Sequence, residues 1–174
     1  MAEGATTGSI RRMTSADLAM VLAWRNAPEV RRYMYTQHEI SWEEHCVWFA
    51  QSSRDPRKHL LVYQEGSEAL GFVSFSESAT GGIGDWGFYL APEAARGTGG
   101  RLGQAALRHG FEVLSLHKIC GQVLEYNERS IAFHRRLGFR QEGVLRDQYY
   151  DGQQYHAVIC FGLLVDEWLA IDEE

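Results

Sequence analysis

The chain has 174 residues, 45% hydrophobic and 12% aromatic, and 17 Lys and Arg against 23 Asp and Glu give a formal net charge of −6. That length bounds one domain with one well-filled core, and the acidic balance argues against a phosphate-neutralising nucleic-acid surface while leaving room for a local anion site. Apolar runs such as Ala157 to Val165 fall short of the roughly 18 residues a membrane-spanning helix needs, and Cys46, Cys120 and Cys160 form no C-x-x-C pair, so no membrane span, disulfide framework or metal site is predicted and a reduced, cytoplasmic setting is expected.

Met1 to Ser9 is small, polar and aperiodic and is set aside as a flexible leader; residues 10–170 then read as a single domain without linker, charge run or repeat. A strand is predicted at Ile10–Met13. Thr14 caps a first helix with Asp17 in its first turn and Leu18, Val21 and Leu22 as its apolar stripe, ending near Asn26. Pro28 opens a short helix through Tyr33, and Ser41 with Glu44 forms a capping-box pattern ahead of Cys46–Ala50.

The period then changes to two. His59–Gln64 and Ala69–Ser76 read as a hairpin around Glu65-Gly66-Ser67-Glu68, with Asp85–Leu90 as a third strand. After a loop from Ala91 to Gly100, Leu102, Ala105, Ala106, His109 and Val113 recur at helical spacing. Lys118–Glu125 is a strand, Arg129–Leu137 a helix stopped by Gly138, and Phe139 to Leu164 holds strands with Asp151-Gly152 as a hairpin turn. The order predicts a mixed α/β fold around a central sheet.

Two glycine-rich segments compete as phosphate cradles. Gly82-Ile83-Gly84-Asp85-Trp86-Gly87 matches G-x-G-x-x-G in letters but runs into a strand instead of opening a helix, so it reads as a turn before a strand. Arg96-Gly97-Thr98-Gly99-Gly100-Arg101 follows a strand and opens a helix, which lets backbone N–H groups converge on an anion at the positive end of the helix. An ordinary capping loop fits its composition equally; the residues downstream decide.

The segment Trp86-Gly87-Phe88-Tyr89-Leu90, the loop after it, Asn127-Glu128-Arg129-Ser130-Ile131-Ala132-Phe133-His134 and Leu137-Gly138-Phe139 together resemble the GCN5-related N-acetyltransferase (GNAT) family over roughly Asp85 to Phe139. The resemblance implies a mostly antiparallel twisted sheet flanked by helices, with a V-shaped splay between its fourth and fifth strands, and acetyl-coenzyme A as co-substrate. It implies that Trp86, Phe88 and Leu90 offer backbone groups to the pantetheine arm. Arg96, Gly97, Thr98, Gly99, Gly100 and Arg101, the last in place of the family's usual Gly or Ala, would take the pyrophosphate. Asn127, Ser130 and Phe133 would orient the coenzyme. His134 stands where the family often has a Tyr as general acid; its i, i+3, i+4, i+7 face with Ser130, Phe133 and Leu137 also fits a packed side chain.

Trp24-Arg25-Asn26, Arg31, Met34-Tyr35, His45 and Trp48-Phe49 resemble the branch of that family that acetylates the 4-amino group of a UDP-linked amino-dideoxy sugar in pseudaminic acid biosynthesis. The Trp-Arg-Asn pattern also occurs in members that acetylate protein N-termini and polyamines. A UDP-sugar needs aromatic faces and arginines, which Trp24, Arg25, Asn26, Arg31, Met34, His45 and Trp48 can supply. Tyr89 and Glu125 flank the expected splay, Glu125 as base or as a partner of Arg129, Tyr89 as a substrate contact or as sheet packing. The expectation is direct acetyl transfer to a small amine acceptor. A protein N-terminal or polyamine acetyltransferase and a non-catalytic acyl-coenzyme A module are the alternatives, and sheet edges near the C-terminal hairpin are compatible with a homodimer.

Overall fold

A computed structural model describes residues 8–172. The period-two segments pair into one sheet of seven strands, β1 (Gly8–Arg12), β2 (Lys58–Glu65), β3 (Glu68–Glu77), β4 (Ile83–Leu90), β5 (Lys118–Leu124), β6 (Arg140–Tyr150) and β7 (Tyr155–Leu164). Their spatial order is β1-β2-β3-β4-β5-β7-β6, and only β4 and β5 run parallel. Six helices flank the sheet: α1 (Leu18–Asn26), α2 (Pro28–Arg31), α3 (Trp42–Ser52), α4 (Thr98–Arg108), α5 (Glu128–Arg136) and α6 (Val165–Asp172). This is the expected mixed α/β fold.

Alternation along the strands divides the apolar residues between two cores. Leu61, Tyr63, Val73, Phe75 and Trp86 point to one face and pack with Leu102, Ala106, Phe133 and Leu137 of α4 and α5. Leu60, Val62 and Phe72 point to the other and meet Val21 and Trp24 of α1, with Trp48 of α3 at the margin.

Local caps account for the element boundaries. Asp17 accepts hydrogen bonds of 2.8 Å from Arg11 Nη1, Arg11 Nη2 and the Thr14 amide, so one 3₁₀ turn precedes α1. Ser41 and Glu44 exchange the reciprocal bonds of a capping box at α3 (3.1 and 2.9 Å). The end of α5 explains the Leu-Gly-Phe segment: Gly138 at φ +91 lets its own amide reach Arg135 O (3.1 Å) and that of Phe139 reach His134 O (3.0 Å), a Schellman motif.

The structure shifts several boundaries and adds a helix; the short helix expected through Tyr33 is regular only over Pro28–Arg31. Gly8 and Ser9, set aside with the leader, pair with Glu65 and Gln64 as the start of β1, and residues 1–7 of that leader lie outside the described residues. The helical pattern ending at Val113 is α4 followed by a π turn at His109–Val113. Nothing in the chain-order reading anticipates α6, whose Trp168 stacks on Phe111 at 5.2 Å.

The feature that positions a site is where pairing stops. β4 and β5 join only at Ile83↔Lys118, Gly84↔Ile119 and Asp85↔Cys120. Beyond these, β4 stays with β3 as far as Gly71↔Leu90, and β5 stays with β7 as far as Leu124↔Val158. A V therefore opens between Trp86–Leu90 and Gly121–Leu124, narrow at Asp85 and wide at Leu90.

Candidate active site

At the wide end, the chain leaves β4 at Leu90 and enters α4 through Gly97, whose φ of +92 is in the left-handed region that a side chain disfavours. Thr98 is buried, while Arg96 and Gly100 are exposed and a Cβ at Gly100 would meet nothing within 4 Å. The first amides of an 11-residue helix are thus presented at an uncrowded surface, the arrangement that favours an anion. Arg101 does not join this cradle as a free cation. Its Nε donates to Glu65 Oε1 at 2.6 Å, and Tyr63 donates to the same oxygen at 2.8 Å, so Arg101 fastens α4 to the end of β2. Glu65 is held below the usual carboxylate range first by Arg101 and then by Tyr63.

At the narrow end, Trp86 is the first β4 residue past the last pair, and it turns into the α4–α5 core. Its indole Nε1–H donates to His134 Nε2 at 3.1 Å, and His134 Nδ1 lies 2.8 Å from the Ser130 carbonyl. A carbonyl only accepts, so the proton is on Nδ1 and Nε2 receives the indole N–H. His134 is 2% exposed, lies 5.0 Å from Phe161 and Phe139 ring to ring, and is pulled below the ordinary histidine range by burial. The general acid expected at this position is not what the geometry provides: both ring nitrogens are committed and neither faces open space. Gly121, which the sequence reading did not single out, makes this closure possible. A Cβ there would sit 2.7 Å from His134 Nε2 and 2.8 Å from Trp86 Nε1. A glycine in the middle of an apolar strand was the available signal.

Asn127 and Ser130 begin α5 as a cap, with the Asn127 carboxamide oxygen accepting from the Ser130 amide at 3.2 Å. Phe133 is buried between Trp86 and Phe88, and the half-buried Phe88 and Leu90 line the V on the same side.

The opposite side of the V faces α1–α3. Here the candidates separate into two groups. Trp24 is buried in the α1 core, His45 is 3% exposed with Nε2 bonded to Leu18 O at 2.9 Å, and Trp48 stacks on His45 and meets Phe72 edge-on. Asn26 spends both ends of its carboxamide on Ile40, donating to its oxygen and accepting from its amide (2.9 and 2.8 Å). Trp24 and His45 are thus buried in the scaffold, while Asn26 and Trp48 stay half-buried with their contacts made within it. Arg25, Arg31, Met34 and Tyr89 remain half-buried near the cleft. Arg25 Nη2 donates to Thr36 O at 2.9 Å, yet Arg25 Nη1 and Arg31 Nε are buried with no hydrogen-bond partner among the described residues. Burial first, then the Arg31 charge, pulls the Arg25 pKa down, and burial pushes the Tyr89 phenol up with Arg25 opposing it. Among the described residues neither guanidinium pairs with a carboxylate, and unpaired guanidiniums suit an anion.

Glu125 is not aimed into the V. Its Oε1 accepts from the Ala157 amide at 3.0 Å and lies 3.5 Å from His156 Nδ1, so it belongs to β7 and pairs with neither a cleft ligand nor Arg129. It lines a cleft of about 720 Å³ with Ala157 and the bulged stretch 144–148, to which β4 contributes nothing. Asp85, missed in the sequence, is the carboxylate at the narrow end of the V. It lies on the face shared with Cys120, enters no ion pair among the described residues, and is raised above the ordinary aspartate range by burial.

Residues 9–140 match the acetyltransferase (GNAT) domain. The chain belongs to the GNAT acetyltransferase family. Among curated GNAT relatives, the acetyltransferase PseH of Campylobacter jejuni is 25% identical over 79% of this chain and 86% of its own. The spermidine N(1)-acetyltransferase of Escherichia coli is 26% identical over 92% and 88%. Among solved structures, the spermidine N-acetyltransferase of Vibrio cholerae in complex with coenzyme A and spermine superposes with a TM-score of 0.87 at 21% identity, covering 95% of this chain and 99% of that one, a likeness of fold.

GNAT enzymes use acetyl-coenzyme A, and this chain is an acyltransferase of that kind. Its own residues fit the coenzyme: the V leaves the β4 backbone from Trp86 to Leu90 without a partner strand on that side, and the left-handed Gly97 and the α4 amides stand at its wide end. Among the described residues no group of His, Cys, Asp and Glu is arranged to hold a metal, and no helix is long and apolar enough to cross a membrane.

Proposed function

We propose that the acceptor of this GNAT acetyltransferase is an anionic nucleotide-linked amino sugar, a UDP-linked amino-dideoxy sugar acetylated on its 4-amino group. The observation that carries the reading is the Arg25–Arg31 pair, with Nη1 and Nε buried and unpartnered beside Tyr89. A buried donor left unpaired costs about 1–3 kcal/mol, and a diphosphate repays that cost where a cationic polyamine adds repulsion. Sequence likeness alone does not separate the two acceptors, because PseH and the spermidine acetyltransferases are similarly distant.

In this reading acetyl-coenzyme A supplies an activated acetyl group, and the chain supplies position and proton transfer. The Arg96–Gly100 loop and the α4 amides hold the pyrophosphate, the free β4 edge aligns the arm, and Arg25 and Arg31 fix the nucleotide. Asp85, with its raised pKa and place at the narrow end, takes the proton from the acceptor ammonium, a role Glu125 is turned away from. The departing thiolate needs little help, since a thiol pKa is about 8.5.

The test is thiol release from acetyl-coenzyme A with a UDP-4-amino sugar, spermidine and Ser- or Ala-starting peptides as acceptors. Selective release with the UDP-sugar, and an acceptor KM raised about tenfold or more in Arg25→Ala and Arg31→Ala with coenzyme KM unchanged, is the expected result. Equal or greater release with spermidine or peptide would sink it.

A further inference from the structure

The two ends of the V are different objects. The wide end is a backbone cradle; the narrow end is a plug of side chains. Past Asp85↔Cys120 the strands begin to part, and the space between them is filled at once by the Trp86 indole bonded to His134 at 3.1 Å. Phe88, Phe133, Phe139 and Phe161 surround this pair, with ring centroids 4.8 to 6.5 Å from one or other member. Gly121 contributes no side chain because none fits. The plug is solid: Trp86 is 7% and His134 2% exposed.

Direction follows from the chain order. The cradle succeeds Leu90, the wide-end residue of β4. A coenzyme anchored there and lying along β4 runs toward the narrow end, so its acyl terminus is the part that comes closest to Trp86. We propose that the Trp86–His134 pair is the end-stop of the coenzyme slot and sets the length of acyl group the enzyme accepts, admitting acetyl and rejecting longer chains. His134 is then a positioning residue. It holds the indole across the V through Nε2, while its own Nδ1–H is anchored on Ser130 O at the start of α5. An indole without that bond keeps its ring contacts but loses the polar anchor that fixes its angle across the gap. The inference concerns the acyl donor and stands or falls separately from the identity of the amine.

The test is calorimetric binding of coenzyme A, acetyl-coenzyme A and butyryl-coenzyme A to the full chain, with no acceptor present. One misfitting methylene in a closed pocket costs about tenfold or more, so the wild type is expected to bind butyryl-coenzyme A at least about tenfold more weakly than acetyl-coenzyme A. Trp86→Leu should bring the two thioesters within a few-fold of one another, whatever the change in their common affinity. His134→Gln, which keeps an acceptor for the indole N–H, should retain most of the discrimination, and His134→Ala should lose it. A wild type that binds both thioesters alike overturns the proposal, as does a Trp86→Leu protein whose preference is unchanged. Should Trp86→Leu fail to fold, Trp86→Phe is the deciding variant: a smaller ring without the N–H must narrow the gap, and an unaltered gap refutes the end-stop.

Discussion

The two faces of the sheet solve opposite problems. On the α4–α5 face, the V is walled by Trp86, Phe88, Phe133, His134, Phe139 and Phe161 in direct ring contact, and both ring nitrogens of His134 are satisfied, by the Trp86 indole and the Ser130 carbonyl. On the α1–α3 face, among the described residues, the cleft carries Arg25 and Arg31 with unpaired nitrogens, Asp85 without an ion partner, and a segment after α2 tied to β5 through the side chains of Tyr35 and Tyr126. The first face is finished without a ligand; the second is not. A closed aromatic wall suits a donor of fixed shape, while unpaired charges suit an acceptor that brings the missing partners with it.

The comparison breaks hardest at Phe161. It is 1% exposed and stacked at 13° on His134, so Phe161→Ala should cost about 3–5 kcal/mol. Chemical denaturation checks this, and a loss below about 1 kcal/mol would mean the wall is looser than its contacts indicate. Truncating Arg25 or Arg31 itself should not approach that figure, because neither side chain is part of either apolar core.

Next in size is Asp85→Asn, which should separate activity from stability. Loss of a general base costs about a hundredfold or more in kcat. The folded-state pKa of Asp85 is raised by burial, so ionisation is a penalty that grows as pH rises through the folded value and is absent below the unfolded one. The Asn variant should therefore be as stable as the wild type in acid and more stable at neutral pH, and its rate profile should lose the acidic limb. An unchanged limb would remove Asp85 from the reaction.

His134 gives a smaller and opposite pH effect. Its folded pKa is depressed by burial from 6.5, so its contribution to stability is full above that value and declines as pH falls from it through the folded value. Denaturation curves of His134→Gln should be flatter than wild type across that acidic window. Equal slopes would mean that protonation of His134 in the native state is not resisted.

How much of this was readable beforehand differs between the faces. The sheet strands, the α4 cradle and the α5 cap follow from period-two runs, a glycine loop after a strand, and Asn127 with Gly138, all local signals that survive packing. The roles of His134, Arg101 and Glu125 depend on partners 48, 36 and 32 residues away. No spacing rule carries that information. Trp24 and His45 look like a binding surface in sequence because aromatic residues serve cores and ligands alike; their burial, unlike the half-buried Trp48, is what sequence does not show. Asp85 was hidden because it reads as a strand residue inside a false G-x-G-x-x-G, and its exposure to the cleft arises from where β5 stops pairing.

The smallest predicted effect tests how the unfinished face is held. The Tyr126 hydroxyl, just past the end of β5, donates to Arg32 O at 2.9 Å and accepts from Gln37 Nε2 at 3.0 Å, and its ring lies 6.0 Å from that of Tyr33. Tyr35 adds a bond to Gln122 at 2.9 Å. These contacts pin the stretch after α2, which follows Arg25 and Arg31, onto the strand that forms one arm of the V. Tyr126→Phe keeps the ring and removes both bonds at a water-accessible site, where a typical net value is about 1 kcal/mol or less. Global stability should thus fall only slightly. The acceptor KM should rise a few-fold, because the arginines lose their fixed distance from the cleft, and acetyl-coenzyme A binding should change less, because the Asn127 cap that follows Tyr126 keeps its own bond to the Ser130 amide. A Tyr126→Phe protein that weakens both ligands equally would show that the two faces are coupled through β5, and the separation drawn between them would fail.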